Sequence, residues 1–326
     1  MATFVSGQSF SIYFEERNAT SATGYYTNSA FPTTAIEPLS YSYFNDYDLD
    51  GNGSLDYSFL SQGLTEEALP TSYVQGMATI LRKRSIGNGL ANIWLTSVMF
   101  YDKKGNVIQV QANNQLSTIS FSSQTIARDF SGKTKRTKTI QVTANATTTV
   151  YSELSYDHSD RLKTVDEKYN SGNYVRIAGY EYNELGQLVD KKLHSTNSGS
   201  TYLQSLDFRY TIRGQLSSIN NSSLSADDTN DDTNDVFGMD LLYGSLDAAI
   251  GNTAYYNGLI SAVKWKVNAP GVVTANQRSY KFSYDKLMRL NSANYADRNG
   301  TGAWTNLGAF DEKSISYDLN GNILTL

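Results

Sequence analysis

The chain has 326 residues, 40% of them hydrophobic, with 24 tyrosines, 24 glycines and no cysteine, which is enough apolar material for a large core in one or two domains. A net charge of −5 argues against nucleic acid or an anionic membrane as partner, and no apolar run approaches the ~20 residues of a membrane helix. Only 18% of residues are charged, tyrosine favours strands with one wet face and glycine supplies turns, so the composition predicts an all-β protein. The N-terminal stretch "MATFVSGQSF" lacks the basic start and apolar core of a signal peptide. The expectation is a cytosolic chain or a section of a longer exported one, and zero cysteine fits both.

Residues 1–99 read as an N-terminal β region. Within it, "NDYDLDGNGSLDY" runs from Asn45 to Tyr57. Asp46, Asp48 and Asp50 alternate, Gly51 permits a sharp turn, and Asn52, Ser54 and Asp56 offer more oxygens. Hard oxygen ligands around a glycine are what Ca2+ takes. Tyr57 stands where an EF-hand loop needs a bidentate glutamate, with Asp56 one position earlier as its substitute, and the Tyr- and Ser-rich flanks do not read as helices. Two readings stand: a calcium loop held by Asp46, Asp48, Asp50, Asn52 and Asp56, or a solvated acidic turn between strands. "GNGLAN" from Gly87 is a lone Gly-x-Gly and carries no phosphate-loop signal.

From residue 100 a pattern recurs. "FYDKKGNVIQV" from Phe100, the shorter "DFSGKTKRT" from Asp129, "SYDHSDRLKTV" from Ser155, "EYNELGQLVDK" from Glu181, "RYTIRGQLSSI" from Arg209, "SYDKLMRLNSA" from Ser283 and "SYDLNGNILTL" from Ser316 share one grammar. An aromatic is followed by a small polar residue, two loose residues, a glycine, one residue and an aliphatic. "YNGLISAVKWKV" from Tyr256 reads as a diverged copy in the long gap between Tyr210 and Tyr284. Each copy reads as strand, tight turn, strand: Asn183 caps the turn through its side chain and Gly186 supplies a positive φ. Asp160 and Arg289 stand for the glycine in two copies, where the turn must be built differently. Isolated hairpins are marginal, so successive hairpins are expected to pair into a continuous sheet.

Other chemistry is sparse. His158 and His194 are the only side chains with near-neutral reference pKa values, and both fall in repeat strands or turns. There is no Cys nucleophile, Gly-x-Ser-x-Gly elbow or His-x-x-x-His pair, so no enzyme is expected. The acidic stretch with Asp227, Asp228, Asp231, Asp232 and Asp235 reads as a loop in water, or as a second cation site. The basic run Lys133, Lys135, Arg136, Lys138 reads as a solvated strand edge. Trp94, Trp265 and Trp304 read as core, with sugar stacking as the alternative.

The repeated Tyr-Asp or Tyr-Asn, two residues, Gly-x-Leu over Tyr101–Leu326 resembles the YD-repeat or RHS family of large exported bacterial proteins; "WLTSVMFYDKKGNVIQV" resembles the approach to such an array. The resemblance implies an array of β-hairpins at 100–326 spiralling into part of a hollow shell, secreted or on the cell surface. That shell encloses a toxin or other cargo, or displays an adhesive element. Complete members continue into a closing, often self-cleaving segment and a variable payload. Here "GNILTL" stops within a repeat, so the expected partners are the remainder of a longer chain, an encapsulated payload or outer-membrane secretion machinery. Alternatives are a carbohydrate- or cell-surface-binding adhesin module, or a passenger of an export machine. Exposed edge strands would make the isolated segment self-associate.

Overall fold

The computed structural model describes residues 12, 14–31, 33, 37–86, 93–114, 117–230, 234–268, 276–305 and 310–325. Among them there is no helix; the protein is all-β, an array of antiparallel hairpins. Two compact units are distinguished: residues 1–155 with 165–174, and residues 156–164 with 175–326. The "GNGLAN" stretch and the pair Asp231 and Asp232 lie outside the described residues.

In the first unit, seven strands neighbour one another in chain order: β1 (Ser40–Phe44), β2 (Ala78–Arg84), β3 (Trp94–Tyr101), β4 (Val107–Asn114), β5 (Ser117–Arg128), β6 (Thr134–Val142) and β7 (Thr147–Tyr156). The sequence boundary at residues 99 and 100 falls inside β3. Strand β8 (Leu162–Tyr169) divides between the units. In the second unit, β9 (Val175–Tyr182) pairs with β10 (Leu188–Ser195). A six-stranded sheet follows, again in chain order: β11 (Phe208–Tyr210), β12 (Leu216–Ile219), β13 (Phe237–Leu242), β14 (Ala262–Val267), β15 (Gln277–Tyr284) and β16 (Leu290–Arg298). Strand β17 (Ser316–Tyr317) pairs with β18 (Ile323–Thr325).

The recurrent turns share one construction. At Asp102, the Gly105 amide donates to the Asp102 carbonyl at 3.0 Å, and the Asp102 amide donates to the Asn106 carbonyl at 2.9 Å. The Asp102 carboxylate accepts the amides of Lys104 and Asn106 at 2.8 and 2.9 Å. The fourth turn residue sits at positive φ, +81° at both Gly105 and Gly186. The strand register slips there, between Phe100 and Tyr101 in this copy, which is a bulge built on a left-handed residue. Asp129, Asp157, Asn183, Asp285 and Asp318 cap their own turns in the same way.

Two sequence assignments change. The residue in the glycine's place in the copy at Tyr284 is Met288, at φ +63°, and not Arg289; Asp160 does occupy that place, at φ +66°. Arginine follows each. Arg161 Nε donates to Asp157 at 2.7 Å, and Arg289 Nε donates to Asp285 at 2.7 Å. An aspartate-arginine clamp therefore accompanies the loss of glycine in both copies. The diverged copy begins at Tyr243, not Tyr256: β13 ends one residue before Tyr243 and pairs with β14 from Leu242↔Ala262 onward. Tyr256 lies in the inserted connection and is largely exposed.

The interior of the first unit is a cluster of Tyr43, Tyr47, Val74, Ile80, Val98, Phe100, Tyr101 and Ile108. Tyr47 stacks on Phe100 with centroids 4.6 Å apart, and Phe59 meets Phe100 edge-on at 5.9 Å. Among the described residues of the second unit, the buried apolar side chains are Ala178, Ala262, Ala293 and the larger Ile315. Its depth is filled by Ser205, Ser218, Asn220, Ser222, Asn230, Ser261, Gln277 and Ser279. Backbone comes close to backbone there: a side chain at Gly238 would place its Cβ 1.9 Å from the Asn221 carbonyl oxygen.

Candidate functional site

The acidic loop is an insertion in the first hairpin. β1 ends at Phe44 and β2 resumes at Ala78, and Asn45 closes the connection: its amide donates to the Met77 carbonyl at 3.2 Å and its side chain accepts the Gly76 amide at 2.7 Å. Tyr47 and Tyr57 anchor the loop to the sheet, Tyr47 on Phe100 and Tyr57 against Phe121 at 5.7 Å. Burial pushes the Tyr47 phenol up to about 12.

This anchoring brings Asp48, Asp50 and Asp56 together, with one carboxylate oxygen from each lying within 4.8 Å of the other two. Asp48 is buried and accepts the amides of Gly51 and Gly53 at 2.7 and 2.8 Å. Its carboxyl lies below the usual range, because amide bonds from Gly53 and Gly51 outweigh the desolvation that burial imposes. Asp56 accepts the Leu49 amide at 2.6 Å. Asp46 turns away, paired with Arg17 at 3.2 Å. Asn52 spends its oxygen on the Ser54 amide at 2.8 Å and its NH2 on Asp50 at 2.9 Å. Three of the five expected ligands converge. Two oxygens on one Ca2+, each bonded at about 2.3–2.6 Å, lie at most about 5 Å apart, so the trio fits one hard cation.

The second recurrent feature runs along the array. Tyr101 donates its hydroxyl to the Ala78 carbonyl at 2.6 Å. Tyr182 reaches Leu162 at 2.9 Å, Tyr210 reaches Leu188 at 2.8 Å, and Tyr243 reaches Leu216 at 2.9 Å. Tyr284 reaches Ile260 at 2.8 Å, and Tyr317 reaches Leu290 at 2.7 Å. In five of the six the acceptor is the first residue of the preceding hairpin's returning strand, and Ile260 lies two residues before β14. Where the tyrosine is missing, Arg128 substitutes and donates to the Val107 carbonyl at 3.2 Å. The clamp arginines join in: Arg161 lies 4.5 Å over the Tyr182 ring and Arg289 lies 4.5 Å over Tyr317. The repeated tyrosine is thus a rung joining one hairpin to the one before it. Its spacing is visible in sequence; its acceptor is not.

The remaining sequence candidates scatter. His158 and His194 are exposed. Arg136 pairs with Glu66 and Glu153, and Lys138 lies 5.2 Å over Tyr151, so two members of the basic run are engaged within the protein. Asp227 pairs with Arg209 and accepts the Thr229 and Asn230 amides, which hold its carboxyl far below the usual range. The loop expected in water is partly interior, since Asn230 and Asp235 are buried. Trp265 stacks on Tyr280 at 5.8 Å, Trp304 lies beneath Arg298 at 4.8 Å, and Trp94 packs against Tyr41 at 4.9 Å.

No protein-family model matches the chain, and no curated protein matches it. Among solved structures, the Photorhabdus luminescens Tc holotoxin pore is similar at TM-score 0.46 and 12% identity over 76% of this chain. A TcdB2–TccC3 crystal structure is similar at TM-score 0.28 and 12% identity over 68% of it. A porin-like protein from Bacteroides uniformis gives TM-score 0.23 and 11% identity over 72%. The chain spans 13% and 11% of the length of the first two.

Proposed function

We propose that this chain is a section of a YD-repeat scaffold, secreted or displayed on a bacterial surface, whose task is to form a wall and not to turn over a substrate. The observation that carries this reading is the run of tyrosine rungs, repeated with near-constant geometry from Tyr101 to Tyr317. A device repeated in six hairpins serves the array as a whole. In repeat proteins, stability sums over units and their interfaces, and such walls suit enclosure. The matching partner is further chain of the same polypeptide, either more repeats or an enclosed payload.

Fractionation of the producing cells, with protease added to the intact protein, tests this. Recovery at the surface or in the medium is expected, with any covalently joined payload resisting protease until the array is denatured. A cytosolic protein whose joined segment is digested at once would refute the wall.

The acidic loop is assigned a structural role in the same scaffold: Asp48, Asp50 and Asp56 would hold Ca2+ and fasten the first hairpin's insertion. Binding to the folded state alone raises its stability by mass action. Millimolar Ca2+ is expected to raise the melting temperature, and Asp48→Asn to remove that rise; an unchanged melt in Ca2+ and in chelator refutes it.

A further inference from the structure

We infer a binding site for an acidic sugar ring at the end of the first unit's interior face. In register, Tyr41 on β1 is the partner of Arg82 on β2, and Trp94 on β3 is the partner of Arg84, two residues along the same face. Next to this row, toward the core, stand Tyr43, Ile80 and Val98. The face therefore passes from a closed aromatic core to a cavity of about 260 Å³, walled by Tyr25, Tyr41, Trp94, Gly24 and Arg82.

The rings are fixed in place. Tyr41 and Trp94 lie with centroids 4.9 Å apart. The turn at Gly24 sits directly on the Tyr41 ring: a Cβ there would come within 2.4 Å of it, and its φ of +59° is a glycine conformation. The same turn is tied to the core by the Tyr43 hydroxyl, which donates to the Gly24 carbonyl at 2.7 Å.

Arg82 shares a side-chain hydrogen bond with the Tyr43 hydroxyl but, among the described residues, has no carboxylate. Its guanidinium lies 5.4 Å over the Trp94 ring, and its Nε is buried without a hydrogen-bond partner. Its neighbour Arg84 is neutralised by Glu37 at 2.8 Å, but no carboxylate among the described residues pairs with Arg82. The first unit's residues outside the described set contain no Asp or Glu, so sequence alone denies Arg82 a counter-ion there. A guanidinium held among rings, with an unpaired Nε and no carboxylate, presents a planar fork that suits a carboxylate.

The ligand must then carry a carboxylate for Arg82 beside a C–H-rich body that packs against Tyr25 and the parts of Tyr41 and Trp94 that line the cavity. A hexuronic acid residue has both, and the cavity volume suits one ring, not a long chain. This function is independent of the wall reading and would let the first unit hold an acidic polysaccharide.

The test uses the indole N–H resonances of the 15N-labelled full chain, with Trp94 assigned by Trp94→Phe. Glucuronate and galacturonate are expected to shift the Trp94 indole saturably at millimolar concentration, leaving Trp265 and Trp304 in place; glucose and galactose should not. Arg82→Gln is expected to weaken uronate binding at least tenfold while the other two indoles keep their positions. If that variant fails to fold, the acid-versus-neutral comparison on the unaltered protein decides. Equal shifts with glucose, a full shift with acetate alone, or no Trp94 response to either uronate would each overturn the proposal.

Discussion

In the first unit the most deeply enclosed side chains include Tyr43, Ile80, Val98, Phe100 and Ile108; in the second, Asn220, Ser222, Asn230 and Ser261 occupy that depth. Apolar burial is non-directional and scales with area, so the first unit's interior needs volume to be filled. A polar interior needs every donor to meet an acceptor, because one orphaned group costs about 1–3 kcal/mol. Asn220 shows the second logic: its side chain accepts the Asp207 amide at 2.7 Å and donates to the Phe237 carbonyl at 2.8 Å, bridging segments on either side of β12. Gln277 does likewise, donating to Ser222 at 2.5 Å and accepting from Arg298 at 2.7 Å. The lesson is that short strands joined by wide connections can be cross-linked by amides where there are too few large side chains to fill a core.

Substitutions can break this contrast. The largest effect is expected at Phe100, whose removal in Phe100→Ala deletes the partner of both Tyr47 and Phe59. A loss of about 3–5 kcal/mol is expected, read by urea unfolding followed at Trp94; a loss below about 1 kcal/mol would show that the aromatic cluster is not the unit's core. Next comes Asn220→Ala, which orphans an amide and a carbonyl and leaves alanine at φ +48°. About 2–3 kcal/mol is expected from these causes, with amide exchange accelerated at Asp207. Retained protection there would show that the bridge is incidental.

The rungs sharpen the comparison, since they run through both units. Tyr101→Phe, Tyr210→Phe and Tyr284→Phe each remove one hydroxyl and nothing else, and each is expected to cost about 1 kcal/mol. Double variants at well-separated rungs should add; calorimetry showing no loss at any rung would strip the tyrosine of this role. Met288→Gly is expected to stabilise by up to about 1 kcal/mol, because it relieves a left-handed methionine. Asp160→Gly should gain less, since aspartate visits that region more readily.

Acid provides the mildest perturbation and separates the turns from one another. The Asp318 carboxyl lies below the usual range through bonds from the Asn322 side chain and amide. Asp102 is also lowered: burial's desolvation pushes upward but is outweighed by the Asn106 side chain and the amides of Asn106 and Lys104. A carboxyl with a lower pKa folded than unfolded, about 3.9 for aspartate, stabilises fully above that value. It loses the contribution as pH falls through the folded pKa. Hydrogen exchange between pH 5 and 2.5 should therefore loosen the aspartate-capped turns such as those at Asp102 and Asp318, while those capped by Asn183 and by Thr211, whose hydroxyl accepts the Arg213 and Gln215 amides at 3.3 Å, hold. Uniform loosening would deny the carboxylates this part.

Much of the array is legible in the sequence, for a physical reason. A turn is closed by residues within five positions of one another, so Asp102, Gly105 and Asn106 announce it. The tyrosines too could be listed in advance, as amphipathic rings that need a partner for the hydroxyl. What is not legible depends on long-range register. Tyr243 is separated from its returning arm at Ile260 by an insertion, so the nearer Tyr256 takes its place in a reading by spacing alone. The acidic stretch reads as a loop in water because polar residues are expected outside; Asn220, Asn221 and Asn230 before and within it are interior because neighbouring backbone carbonyls accept from their amides. The acidic loop divides in the same way. Alternation groups Asp46 with Asp48 and Asp50, and only the fold reveals that Arg17 diverts Asp46.

The rungs also have a direction. Each of the six rung tyrosines donates backward, to a carbonyl belonging to the hairpin before it. A ribosome delivers the N-terminal repeats first, and an export channel threaded from that end would do the same. In that order, each tyrosine emerges to find its acceptor already made. Assembly can then proceed as a ratchet, one hairpin locking onto the last, without any repeat waiting for sequence not yet delivered.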